Sequence, residues 1–145
     1  MKWITRKNAA VDRIACPWLI RRFVDADAEF LFVAPEEVAT RAAETGAIPF
    51  DVPGAKLGHV DGRCSFESIV VEYGLQCDAA LVRVAAIVHG ADIVEDVDGR
   101  PESAGLKAIA NGFRLLLGAD DQRKLELEFP LYDTLYRWAE EWPVR

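Results

Sequence analysis

Two histidines, His59 and His89, are the only imidazoles in the chain, so any site built on histidine chemistry has few ways to form. His89 and Asp92 stand three apart in Ile87-Val88-His89-Gly90-Ala91-Asp92. On a helix that spacing puts both on one face, where they could reach one cation. His59 lies in Gly58-His59-Val60-Asp61-Gly62-Arg63-Cys64-Ser65-Phe66-Glu67. Here an imidazole, a thiol and a carboxylate can converge where a glycine-punctuated loop enters a helix. Histidine–carboxylate sets suit Zn, Mn or Fe, and Cys64 would add a preference for softer ions. His59, Glu67, His89 and Asp92 are therefore the candidate ligands of a divalent transition metal. An open coordination position holding water would allow Lewis-acid or redox chemistry near neutral pH. The same residues also admit a plainer reading: a histidine and a glutamate placed to favour helix dipoles, a surface histidine, and an aspartate in a turn.

The second dense segment is Asp12-Arg13-Ile14-Ala15-Cys16-Pro17-Trp18, followed by Arg21 and Arg22. Pro17 fits the first turn of a helix, where its missing N–H is harmless, so the spacing predicts a helix over Cys16–Val24. A cysteine at that start would feel unpaired N–H groups and the helix dipole, which lower a thiol's pKa. Asp12, Arg13 and Cys16 are thus the candidate catalytic residues: Cys16 as a redox thiol, Arg13 to orient an anionic ligand, Asp12 to hydrogen-bond a metal-binding histidine. With Arg21 and Arg22, the same helix start could instead offer charge and N–H donors to an oxyanion. A small buried hydrophobe is the competing reading of Cys16.

These residues need elements to hold them. Short strands are expected at Trp3–Thr5, Phe30–Val33 and Ile48–Val52, with a strand or loop over Leu57–Cys64. Helices are expected at Pro35–Glu44, ending in Gly46; at Ser65–Tyr73, capped by Ser65 and stopped by Gly74; at Asp78 to about Ile93; at Glu102–Leu117; and at Asp120–Trp142, which Pro130 should kink or split. Tyr132, Leu135, Tyr136 and Trp138 recur at helical spacing and read as core, whereas Glu126, Glu128, Glu140 and Glu141 read as a solvated face. Strands early and helices late give an α+β class: a small sheet of short strands in the N-terminal half, packed against four to five helices, as one domain over residues 1–145.

Composition narrows the classes. Of 145 residues, 51% are hydrophobic, enough to build a packed core rather than a disordered chain. The net charge of −7, from 24 acidic and 17 basic residues, disfavours nucleic acid and anionic membranes as partners but not metal cations. Three cysteines make no disulfide framework, the N-terminus lacks a signal-peptide pattern, and no apolar run is long enough to span a bilayer, so a cytoplasmic location is expected. There is no G-x-G-x-x-G, P-loop, G-x-S-x-G or H-E-x-x-H motif. Trp3, Trp18, Trp138 and Trp142 could cover a core or a homo-oligomer interface.

The run Val11-Asp12-Arg13-Ile14-Ala15-Cys16-Pro17-Trp18-Leu19-Ile20-Arg21-Arg22-Phe23 resembles the C-terminal domain of the ChrB-type chromate-resistance proteins. So do Glu29-Phe30-Leu31-Phe32-Val33, Gly46-Ala47-Ile48-Pro49-Phe50-Asp51, His59, Cys64-Ser65-Phe66-Glu67, Ala85-Ala86-Ile87-Val88-His89-Gly90-Ala91-Asp92 and Tyr132-Asp133-Thr134-Leu135-Tyr136. The longer family members carry a further N-terminal region and are regarded as regulators accompanying a chromate-efflux transporter, and this chain looks like the C-terminal domain standing alone. The resemblance implies a place in chromate or heavy-metal resistance, a stress response. The leading expectation is a metal-binding domain, enzyme or sensor, built on His59, Glu67, His89 and Asp92. The alternative is an oxyanion-responsive module using Arg13, Arg21, Arg22 and the helix start at Cys16.

Overall fold

A computed structural model describes residues 1–142. Its sheet has three parallel strands in the order β2-β1-β3: β1 (Lys2–Arg6) in the centre, β2 (Glu29–Val33) on one side and β3 (Ile48–Pro49) on the other. Helix α1 (Asp12–Phe23) links β1 to β2, and α2 (Val38–Thr45), entered through a single 3-10 turn, links β2 to β3. Parallel strands need such crossovers, because a tight turn only reverses the chain. Four helices follow: α3 (Ser65–Glu72), α4 (Ala79–Asp92), α5 (Pro101–Leu117) and α6 (Asp121–Glu141). The α+β expectation stands.

Residues alternate across a strand, so β1 buries Trp3 on one face and Ile4 on the other. Trp3 joins the large core that α1, α3, α4, α5 and α6 build, while Ile4 meets Val33, Val38 and Ala47 beneath α2. Helices on both faces explain why Trp3, Ile4 and Thr5 are all fully buried. Trp18 lies within the large core, stacked on Phe66 and 6.0 Å from the ring of Tyr132. Its indole N–H donates to Asp133 Oδ1 at 2.8 Å. Trp3 and Trp18 are core residues, whereas Trp138 and Trp142 lie against each other with their rings tilted, 40% and 41% exposed.

Several local expectations change. Helix α1 opens at Asp12, not Cys16, with the Val11 carbonyl accepting the N–H groups of Ile14 and Ala15. Pro17 therefore sits inside the helix, where it removes the donor that would have met the Arg13 carbonyl. Pro130 likewise lies within α6, which continues for 21 residues without splitting. β3 is only two residues long: the Phe50 N–H still reaches the Ile4 carbonyl, but Asp51 turns the chain away at φ +49°. Residues 57–64 form a loop containing one isolated bridge, Val60 with Arg63. Cys64 rather than Ser65 holds the capping position of α3, its N–H donating to Glu67 Oε1 at 3.0 Å. Glu128, expected on a solvated face, is buried.

The loop between β1 and α1 is tied down from far away. The Asp121 carboxylate accepts the N–H groups of Asn8 and Ala9, both at 2.9 Å. Lys124, fully buried, donates to the carbonyls of Ala9 and Gly118 and to Asp121 Oδ1. The ammonium's three protons thus have three acceptors, which is how a buried lysine can stay charged. Among the described residues no helix is long and apolar enough to cross a membrane.

Candidate metal centre

Every strand of a parallel sheet points its carboxyl end the same way, and in open sheets ligands bind outside those ends where neighbouring connections diverge. In the order β2-β1-β3 that place lies between β1 and β3. Arg6 closes β1, Asp12 and Arg13 open α1, Asp51 follows β3, and His59 comes from the loop beyond it. The start of α3 and the end of α4 complete the wall with Ser65, Glu67, His89 and Asp92.

Three carboxylates converge on one nitrogen. His59 Nε2 lies 2.9 Å from Asp92 Oδ2, 3.6 Å from Asp51 Oδ1 and 3.7 Å from Asp12 Oδ2. The Asp12 side chain is wholly buried; its Oδ2 accepts the Ser65 N–H at 2.7 Å, and its Oδ1 has no hydrogen-bond partner among the described residues. Asp51 Oδ1 accepts the Ser65 hydroxyl at 2.6 Å, while Oδ2 faces Arg13 Nε at 3.5 Å and Arg6 Nη2 at 3.6 Å. Arg6 also donates to the Asp51 carbonyl at 2.8 Å, which steadies the left-handed turn. The outer side of His59 is half exposed and opens on a cleft of about 310 Å³ lined by Arg6, Asp51, Val52, Pro53, Gly54 and His59.

Burial pushes the Asp12 carboxyl up to about 7, opposed by His59 and reinforced by the charges of Asp92 and Asp51. Burial also raises Asp51. His59 is pushed up to about 9, most of all by the facing Asp12, against a penalty from its own partial burial. The Asp12 and His59 shifts both favour holding protons in the cluster over leaving its carboxylates bare.

A second group lies on the same two helices. Ligand atoms of Cys64, Glu67 and His89 all fall within 4.8 Å of one another, as do those of Asp12, His59 and Asp92. His89 Nδ1 meets Glu67 Oε1 at 2.5 Å and Nε2 meets Asp96 Oδ2 at 2.7 Å. Burial works against a charged His89, but Asp96 and Glu67 together outweigh it and the pKa rises. Burial holds the Cys64 thiol well above its usual range. The four residues nominated from sequence are thus divided between two neighbouring sets: His59 with Asp92, and His89 with Glu67.

The arginine cradle at Cys16 is not assembled. Cys16 lies in mid-helix, fully buried, and burial raises its pKa instead of lowering it, so no helix start activates it. Arg21 donates to the Ala28 carbonyl at 2.7 Å and lies over the rings of Phe30 and Phe129. Arg22 grips Asp133 with two hydrogen bonds of 2.9 Å. Arg13 donates to the carbonyls of Lys7 and Arg6 while facing Asp51. Only Arg13 of the three belongs to the wall of the centre. Asp51, Ser65, Arg6 and Asp96 were not nominated from sequence as site residues; the one signal for Asp51 was its place near the end of the expected strand Ile48–Val52, just before Pro53-Gly54.

The fold and the centre define a small α+β domain with a histidine–carboxylate cluster at the carboxyl end of a parallel sheet. The family model described as "ChrB, C-terminal domain" matches residues 3–139, and the chain belongs to that family. It is similar to Protein ChrB of Cupriavidus metallidurans, with 40% identity over 137 residues, or 93% of this chain. The chain spans about 40% of the length of that relative. No solved structure matches.

Proposed function

We propose that this chain is a metal-binding domain serving chromate resistance, and that Asp12, His59 and Asp92 hold a divalent transition metal, with Asp51 beside them. One observation carries the reading. Asp12 is a fully buried carboxylate with an oxygen that has no hydrogen-bond partner among the described residues, in a cluster where three carboxylates face a single imidazole nitrogen. An unpaired buried carboxylate is costly, and a cation offsets that cost directly. The donor set of one nitrogen and several carboxylate oxygens suits Mn, Fe or Zn. A bound ion would supply Lewis acidity at the cleft, while Arg6 and Arg13 fix Asp51 and Ser65 fixes both Asp12 and Asp51. Family membership supports the chromate-resistance setting, and the domain acts there by binding its ion.

Elemental analysis of protein purified without a His tag tests this. At least one equivalent of transition metal is expected, with one equivalent lost in both His59→Ala and Asp12→Asn. Unchanged metal content in those two variants overturns the assignment.

A further inference from the structure

We infer that Cys64, Glu67 and His89 form a second, thiolate-containing metal site, separate from the Asp12, His59 and Asp92 centre and selective for zinc. The sulfur, oxygen and nitrogen atoms lie within 4.8 Å of one another. Tetrahedral zinc, with Zn–S near 2.3 Å and Zn–N and Zn–O near 2.0–2.2 Å, places its ligand atoms roughly 3.2–3.6 Å apart. Glu67 and His89 now touch at 2.5 Å through a proton. Replacing that proton by an ion requires the two side chains to part by only about 1 Å.

An independent feature points the same way. A metal-binding histidine nearly always gives its other ring N–H to a carboxylate, which fixes the ring and its tautomer. His89 turns Nδ1 toward Glu67 and Cys64 and presents Nε2 to Asp96 at 2.7 Å. Asp96, in the 3-10 segment Val94–Gly99 after α4, would thus be the positioning residue for His89. The Cys64 N–H donates to Glu67 Oε1, so the start of α3 fixes two donors at once. Cys64 is fully buried, and an ion would stabilise the thiolate that burial disfavours. On binding, Cys64 gives up its thiol proton and His89 its Nδ1 proton, so two protons leave for each ion that enters. Sulfur distinguishes this site from its neighbour: a thiolate prefers zinc, whereas the Asp12 centre has oxygen and nitrogen donors only.

Cobalt(II) serves as the probe, because only a thiolate ligand gives an intense sulfur-to-cobalt band in the near ultraviolet. The experiment uses the whole chain with the exposed Cys77 changed to serine. Titration with cobalt(II) is expected to produce that band, to retain it in His59→Ala, and to lose it in Cys64→Ser and in His89→Ala. Asp96→Asn is expected to weaken cobalt binding at this site about tenfold while keeping the band at saturation. Circular dichroism matched to the parent shows that each variant is folded. Absence of the band at saturating cobalt in the parent, or its persistence in a folded Cys64→Ser protein, overturns the second site. Loss of the Asp12 centre alone leaves the band in place, so the two readings fail separately.

Discussion

Asp12 Oδ2 accepts the backbone N–H of Ser65 at 2.7 Å, joining the first turn of α1 to the first turn of α3. The bond holds a buried carboxylate among other carboxylates, and the raised Asp12 pKa of about 7 measures the cost. The unfolded chain ionises Asp12 near 3.8, so between pH 4 and 7 the folded state holds the extra proton and stability falls as pH rises. Asp12→Asn keeps an acceptor for Ser65 and removes that cost. In metal-free protein above pH 7, it should raise the melting temperature by roughly 5 °C while emptying the centre of metal. Calorimetry and metal content on the same sample check both halves.

In the proposed centre, protons would compete with metal at His59, whose pKa is pushed up to about 9. Apparent affinity of the Asp12 centre should therefore rise about tenfold per pH unit between pH 7 and 9, then level off as His59 loses its proton. Below pH 7 the slope steepens, because Asp12 must also be deprotonated. Titration calorimetry of Cys64→Ser with manganese(II), in buffers of different ionisation enthalpy, should count one proton released per ion at pH 8.

Gly58 precedes His59 where the loop folds back tightly. A Cβ there would stand 2.9 Å from the Val52 carbonyl oxygen and 3.0 Å from that of Ala55, and neither backbone group can yield without moving the loop. Gly58→Ala should displace His59 and weaken metal binding at the Asp12 centre by about tenfold or more, on the scale seen when support for a ligand is lost. The cobalt–thiolate band should stay. An unchanged manganese affinity would show that the loop tolerates the shift.

Glu128, buried on α6 with no hydrogen-bond partner for Oε2 among the described residues, has its pKa pushed up to about 8, chiefly by burial. The unfolded chain ionises it near 4.5, so stability falls as pH climbs from there to about 8. Glu128→Gln should be more stable than the parent, by a margin that grows across that interval and stays constant above it. Melting temperatures at pH 5 and pH 8 give the comparison; an equal margin at both pH values contradicts it.

Much of the frame was readable from the chain. Phe30–Val33 announced a strand through its aromatic and β-branched residues, Asp78 and Gly74 marked helix ends, and the stripe of Leu81, Val84, Ala85 and Val88 is the buried face of α4. Proline misled at Pro17, which read as a helix start yet sits inside α1, and α6 runs on through Pro130 without splitting. The site was legible only in part. His59 and Asp92 were nominated, yet their meeting depends on a loop closing onto the end of α4 across more than thirty residues of chain. Asp51 and Asp96 carried no periodic signal at all. What brings Asp51 inward is the parallel pairing of β1 with β3, and strand direction is not written in local sequence.

Asp121 and Lys124 hold the loop at Asn8 and Ala9 without belonging to either cluster. A ribosome that has released the chain only as far as residue 100 has already delivered every side chain of both clusters, Asp96 included. The clasp that seats the entrance to α1 is still unmade. Asp12 is placed by that entrance, so metal capture should wait for α6 to emerge and dock, and the nascent domain would be spared filling its centre with whichever ion arrives first.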